Sequence, residues 1–181
     1  TVVLVPKWAP EAVLDLLPRE KITLLFAVPT QFQQLLTAPN FKTAELRGVR
    51  LTSGGAPLPV SVIEEFRAVH GVPLRQGFGM TEYGPFVFIT EAADAVAKAG
   101  SIGTPNACVE AAILDDTGRP VPADGVGELA LRGRVLCSGY FNTETAGQAP
   151  LEADGWFHTG DLARVDADGF FWIVDRKKDM Y

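Results

Sequence analysis

Three short stretches of this chain carry residue types that do chemistry. In Gln76-Gly-Phe-Gly-Met-Thr-Glu82, Phe78 stands between two glycines, where a turn exposes it to stack on a flat ring. Thr81 offers a hydroxyl to a phosphate, and Glu82 offers a hard oxygen ligand to Mg²⁺. A purine nucleotide needs those three kinds of group close together; taken singly, Phe78 also suits a core and Glu82 a solvated surface. Upstream, Leu51-Thr-Ser-Gly-Gly-Ala-Pro-Leu58 sets Gly54 and Gly55 directly after a predicted strand. There the missing side chains let a ligand approach the backbone at the carboxyl edge of a parallel sheet, although the same glycines also suit a tight strand-to-helix turn. In Gly155-Trp-Phe-His-Thr-Gly-Asp161, Asp161 beside a strand can accept hydrogen bonds from vicinal ribose hydroxyls, or cap a turn. Arg176, after the last predicted strand, can donate to the same ribose or to a phosphate; standing alone it is a surface charge.

The elements that must position these residues follow from periodicity. Over Pro10 to Lys21, Val13, Leu14 and Leu17 fall on one helical face, with Pro10 acceptable in a first turn and Pro18 expected to end or kink the helix. Ile22 to Val28 is an apolar run of strand length, broken only by Thr23, which predicts a strand buried on both faces of a parallel sheet. A helix over Gln31 to Thr37, a strand over Arg47 to Thr52, a turn, a helix over Val60 to Val69 and a strand over Val72 to Gln76 complete an alternation that implies right-handed crossovers. A short helix is expected over Glu91 to Ala99. Beyond it, short strands at Val109 to Leu114, Gly127 to Arg132 and Phe170 to Val174 are separated by turn sequences such as Asp116-Thr-Gly118 and Asp166-Ala-Asp-Gly169. The expectation is an α/β chain: a partial doubly wound sheet with flanking helices over 1–99, then a small distorted β-barrel-like subdomain over 100–174, then a charged tail over 175–181.

With 181 residues, the chain has room for one ordinary core or two small ones. An apolar share of 47% with 21% charged residues marks a globular protein rather than a disordered one, and the longest apolar runs, such as Leu24 to Val28, fall far short of a bilayer span. A net charge of −6 argues against nucleic acid as partner, while a few local groups can still hold one anionic cofactor. Cys108 and Cys137 stand far apart and away from His70 and His158, so no metal cage or disulfide framework is expected. Two reduced thiols and no charged-then-apolar leader lead to the expectation of a cytoplasmic location.

The stretches "FAVPTQFQQLL", "LTSGGAPL", "QGFGMTE", "GSIGTP", "GELALRG…LCSGYFN" and "DGWFHTGDLARVDADGFFWIVDRKKDM", in this order and over essentially the whole chain, resemble the acyl-adenylate-forming superfamily. That superfamily contains acyl-CoA synthetases, adenylation domains of peptide synthetases, and luciferases, and QGFGMTE and DRKKDM are most similar to its CoA-ligase branch. The resemblance implies an acid:CoA ligase that uses ATP, Mg²⁺ and CoA. It implies that Gly54, Gly55 and Ala56 line the adenine and acyl site and that Gln76, Gly77 and Phe78 sandwich the adenine. Thr81 would contact the AMP phosphate, Glu82 would hold Mg²⁺, and Asp161 and Arg176 would bind the ribose hydroxyls.

By the same resemblance, a Ser/Thr/Gly-rich phosphate loop belongs upstream of Thr1, and a small domain carrying the adenylating lysine belongs downstream, with Lys178 at the hinge. The chain is then expected to be a fragment of the large domain, inactive alone and prone to self-association. Phe26 to Gln33 and Phe86 to Ile89 would line the acyl pocket; their apolar content, with no Asp or Glu in 26–33, suits a fatty or aryl acid better than an amino acid. The alternatives are an adenylation domain that loads a carrier protein and a nucleotide-binding scaffold without catalysis.

Overall fold

A computed structural model describes residues 2–141 and 155–177. Its backbone divides into two units, residues 1–76 with 91–100 and residues 77–90 with 101–181. The single boundary expected near Gly100 differs from this division at 77–90, because a strand crossing residues 76 and 77 turns back there as a hairpin.

In the first unit, α1 (Pro10–Arg19) is followed by β1 (Leu24–Ala27), α2 (Pro29–Leu36), a 3₁₀ turn at Phe41–Thr43, β2 (Arg50–Ser53), α3 (Val60–His70) and the start of β3 (Leu74–Met80). β1 pairs parallel with β2, and β2 with the first residues of β3, in the register Leu25 to Leu51 and Leu51 to Leu74. Val13, Leu14 and Leu17 are the buried face of α1, and Pro18 is accommodated inside its last turn, one residue before the end. The helices close over Leu51 and Leu74 through Phe32, Leu35, Ile63 and Phe66, all buried in one cluster. Phe66 meets Phe32 and Phe41 edge-on at centroid distances of 5.5 and 5.1 Å, a favoured aromatic geometry. α3 stops at Gly71, whose φ of 67° lets its N–H return to the Arg67 carbonyl at 2.9 Å.

Two expectations for this unit are corrected. Among the described residues β1 is covered on one face: Leu25 and Ala27 join the core, while Leu24 and Phe26 stay 48% and 52% exposed. Glu91 to Ala99 forms turns instead of a helix, closed by Asp94 N–H to Glu91 O, Lys98 N–H to Asp94 O and Ala99 N–H to Val96 O.

In the second unit, the remainder of β3 pairs antiparallel with β4 (Gly84–Ile89), matching Gly77 to Ile89 and Phe78 to Phe88, and β4 pairs with the short β5 (Thr104–Pro105). Then β6 (Val109–Leu114), β7 (Gly127–Gly133), β8 (Phe157–Val165) and β9 (Phe171–Arg176) form an antiparallel sheet in chain order. Among the described residues this sheet is open, so the barrel-like expectation holds for its antiparallel character and not for closure. Phe88, Ile113, Leu129, Leu131, Phe157 and Phe171 build its core. Among the described residues no helix is long and apolar enough to cross a membrane, and Cys108 and Cys137 are free thiols.

Candidate functional site

In the first unit, β2 runs out at Ser53 and the chain turns through Gly54, Gly55 and Ala56. Gly54 is buried, whereas Gly55 and Ala56 are exposed, and Gly55 adopts a φ of 87° that side chains rarely tolerate. The Ser53 hydroxyl, buried beside this loop, has no hydrogen-bond partner among the described residues. Gln76 is only 5% exposed, and its side-chain oxygen accepts the Leu58 N–H at 3.2 Å. Its amide therefore braces the loop from within. At the other end of the same strands lies a cavity of ≈ 430 Å³ bordered by Arg47, Arg50, His70 and Arg75, and none of the residues singled out in the sequence line it.

In the second unit, Gly77 is buried where a Cβ would fall 2.7 Å from the Phe86 ring, and a Cβ on Gly79 would fall 2.3 Å from the Pro85 carbonyl group. The glycines therefore let β3 and β4 approach closely around the register shift between Phe78 and Met80. Phe78 is half-buried, with its ring edge-on to Phe88 at 5.9 Å. Thr81 is exposed and Glu82 half-buried in the hairpin turn, which the Tyr83 N–H closes on the Met80 carbonyl at 3.2 Å. Glu82 is already engaged: Tyr140 donates its hydroxyl to Oε1 at 2.6 Å, and the Glu82 carbonyl accepts the Cys137 N–H at 2.7 Å. Tyr83 packs its ring on Phe157 at 5.6 Å, which ties this turn to the start of β8.

Further along β8 the structure brings together the two residues expected to read a ribose. Asp161 and Arg176 are opposite one another in the β8–β9 ladder, and Arg176 Nε donates to Asp161 Oδ1 at 3.1 Å. The Asp161 side chain is 5% exposed and that of Arg176 60%, so a buried acceptor is matched with a reaching donor. Burial pushes the Asp161 carboxyl above its ordinary value, opposed by Arg176 and reinforced by the charge of Glu128. Thr159, Gly160, Arg176 and Lys177 line a cavity of ≈ 390 Å³ beside the pair. Beside it stand residues that the sequence reading did not single out, Glu128, His158 and Lys177; Tyr140, also not singled out, stands instead at Glu82. Glu128 lies inside the quoted GELALRG stretch, the one signal that pointed to it. Lys178, expected at a hinge, lies outside the described residues.

Comparison with known proteins follows the same lines. The family described as "AMP-binding enzyme" matches residues 1–141. A feruloyl-CoA synthase of Amycolatopsis sp is 39% identical over 99% of this chain and 36% of its own length, and a long-chain-fatty-acid–CoA ligase of Thermus thermophilus is 34% identical over 97% of this chain and 34% of its own. Among solved structures, the anthranilate CoA ligase AuaEII in complex with anthranoyl-AMP superimposes with a TM-score of 0.86 at 29% identity, covering 99% of this chain and 35% of that one. The chain thus spans about a third of the length of each of these two curated relatives.

Proposed function

Because the chain belongs to the AMP-binding enzyme family, we propose that it is the nucleotide-holding part of a carboxylic acid:CoA ligase. In that reaction a carboxylate oxygen attacks the α-phosphorus of ATP, pyrophosphate leaves, and the CoA sulfur then attacks the acyl carbon and releases AMP. The observation that carries the reading is the Asp161–Arg176 pair. Among the described residues Arg176 engages one oxygen of Asp161, through Nε, so the second oxygen and the other guanidinium donors suit a vicinal diol.

The other roles are assigned by chemistry. Thr81, exposed in the hairpin turn, donates to a phosphate oxygen. Glu82 supplies one carboxylate, whose Oε1 accepts the Tyr140 hydroxyl, and among the described residues no group of three His, Cys, Asp or Glu is placed to hold a metal. That suits Mg²⁺, which commonly takes one or two carboxylates and completes its shell with water and phosphate oxygens; when bound it offsets charge at the reacting phosphate. Gln76, committed to the Leu58 N–H, presents its backbone to a ligand, as does Gly77. Phe78 offers the outer part of its ring. Gly54, Gly55 and Ala56 form a loop poor in side chains, open to close approach.

For the acid we propose an aryl rather than a fatty chain. The support is that the feruloyl-CoA synthase is more similar to this chain than the fatty-acid ligase is (39% against 34%), and that anthranoyl-AMP occupies the structural relative. Calorimetric titration of the chain with AMP tests the nucleotide role: Asp161→Ala is expected to weaken binding at least about 10-fold, the loss of one or two charge-assisted hydrogen bonds. Unchanged affinity overturns it. Titration with non-hydrolysable cinnamoyl- and lauroyl-adenylate analogues tests the acid, and tighter binding of the lauroyl compound overturns the aryl assignment.

A further inference from the structure

We infer that Glu128 is a positioning residue for the Asp161–Arg176 pair, acting through Gly160 on one side and Lys177 on the other. The inference rests on the nucleotide reading above. It begins with the backbone. Between the matched pairs Glu128–Leu162 and Ala130–His158, β7 advances two residues while β8 advances four. Thr159, Gly160 and Asp161 therefore cannot all enter the ladder, and their N–H groups need other acceptors. Thr159 Oγ accepts the Asp161 N–H at 3.1 Å and donates to the Leu129 carbonyl at 2.8 Å. The Gly160 N–H goes to Glu128 Oε1 at 3.1 Å. Gly160 has a φ of 74°, so the chain here turns through a conformation that glycine alone adopts freely, and the Glu128 carboxylate pins it.

The other oxygen of the same carboxylate faces the opposite strand. Glu128 Oε2 accepts Lys177 Nζ at 3.0 Å and lies 3.2 Å from His158 Nδ1. Lys177 also reaches Asp116 Oδ1 at 3.4 Å. One carboxylate thus grips the residue before Asp161 and the residue after Arg176, the two chain segments whose separation sets the pair. The Glu128 side chain is 12% exposed. Burial pushes its carboxyl up, and the hydrogen bonds from Lys177, His158 and Gly160 outweigh this and hold it below the ordinary range, so it remains an anion. Glu128 does not border the cavity, whose lining is Thr159, Gly160, Arg176 and Lys177. Its effect on a ligand passes through its neighbours.

The test is ribose discrimination, measured as the ratio of the dissociation constants for 2′-deoxy-AMP and AMP on the chain. Wild type is expected to give a ratio of about 10, the value of one hydroxyl on a charged acceptor, and Asp161→Ala a ratio near 1. Glu128→Gln keeps an oxygen for the Gly160 N–H, so the fold is retained, but it loses the charge that holds Lys177; its ratio is expected to fall to about 2–3. Lys177→Met should fall likewise and Lys177→Arg should restore the ratio. A Glu128→Gln variant that melts lower yet keeps the wild-type ratio shows a purely structural role and overturns the inference, leaving the Asp161 reading intact. A wild-type ratio near 1, or no AMP binding, overturns the ribose reading and this inference with it.

Discussion

Tyr140 donates its phenolic hydrogen to Glu82 Oε1 at 2.6 Å across 58 residues of sequence. The bond holds the phenol protonated, and with burial and the carboxylate charge it pushes the Tyr140 pKa from 10.0 up to about 12. Only the neutral phenol can donate, so the stabilisation it contributes is fully present below pH 10 and is lost as pH rises through about 12. Absorbance titration at alkaline pH is expected to show a late-ionising tyrosine that disappears in Tyr140→Phe. If the ionisation missing from the variant is one centred near pH 10, the bond is contradicted.

Gln76 is a second long-range tie, 18 residues from the Leu58 N–H it accepts. Gln76→Leu fills the same space and leaves that N–H buried without its acceptor, at a cost of about 1–3 kcal/mol. Urea denaturation measures it: the midpoint should fall with an unchanged slope. A midpoint within error of wild type would mean that the loop finds another acceptor.

Gly79→Ala is expected to be among the most damaging small substitutions. The added methyl would lie 2.3 Å from the Pro85 carbonyl carbon and oxygen, which are backbone and cannot rotate away. Overpacking of this kind costs about 1–3 kcal/mol or more. Thermal unfolding of the variant checks it, with Gly118→Ala as a comparison, since among the described residues no atom beyond its chain neighbours lies within 4 Å of a Cβ at Gly118, and the strain there comes from its φ of 75°.

His70 gives a pH dependence of opposite direction to that of Tyr140. Burial lowers its pKa below 6.5, outweighing the Phe41 backbone hydrogen bond and the Glu45 charge that raise it. The folded state therefore favours neutral imidazole; this preference stabilises the fold above pH 6.5 and is lost as pH falls toward the lowered folded value. Denaturation midpoints from pH 8 to pH 5 should decline less in His70→Gln than in wild type. Parallel declines would place the acid sensitivity elsewhere.

Periodic elements of this chain were legible because one side of each is buried: α1 shows it in Val13, Leu14 and Leu17. An apolar run says less about which faces are covered. β1 reads as buried on both sides, yet covering depends on what packs there, and Leu24 and Phe26 face outward. Glu91 to Ala99 has helix-forming residues, but nine residues in isolation are too few to offset nucleation, and turns prevail. β8 was illegible for a different reason. His158, Thr159, Gly160 and Asp161 carry no strand signal, and the segment is extended because β7 and β9 flank it. At the candidate site, Asp161 and Arg176 stood out as residue types in suggestive places. Glu128 and Tyr140 did not, since their partners Gly160 and Glu82 lie 32 and 58 residues away.

The two surplus residues of β8 opposite Glu128 and Ala130 also bear on how this sequence can change length. Removing two residues from 159–161 would let the strands zip into an unbroken ladder, a more regular sheet in which each N–H meets a carbonyl. The same deletion would take away either the acid or the glycine corner that displays it. Selection for sheet regularity and retention of Asp161 therefore pull in opposite directions at this one place. Insertions and deletions are accordingly expected to settle in the connections between strands, while β8 keeps its length.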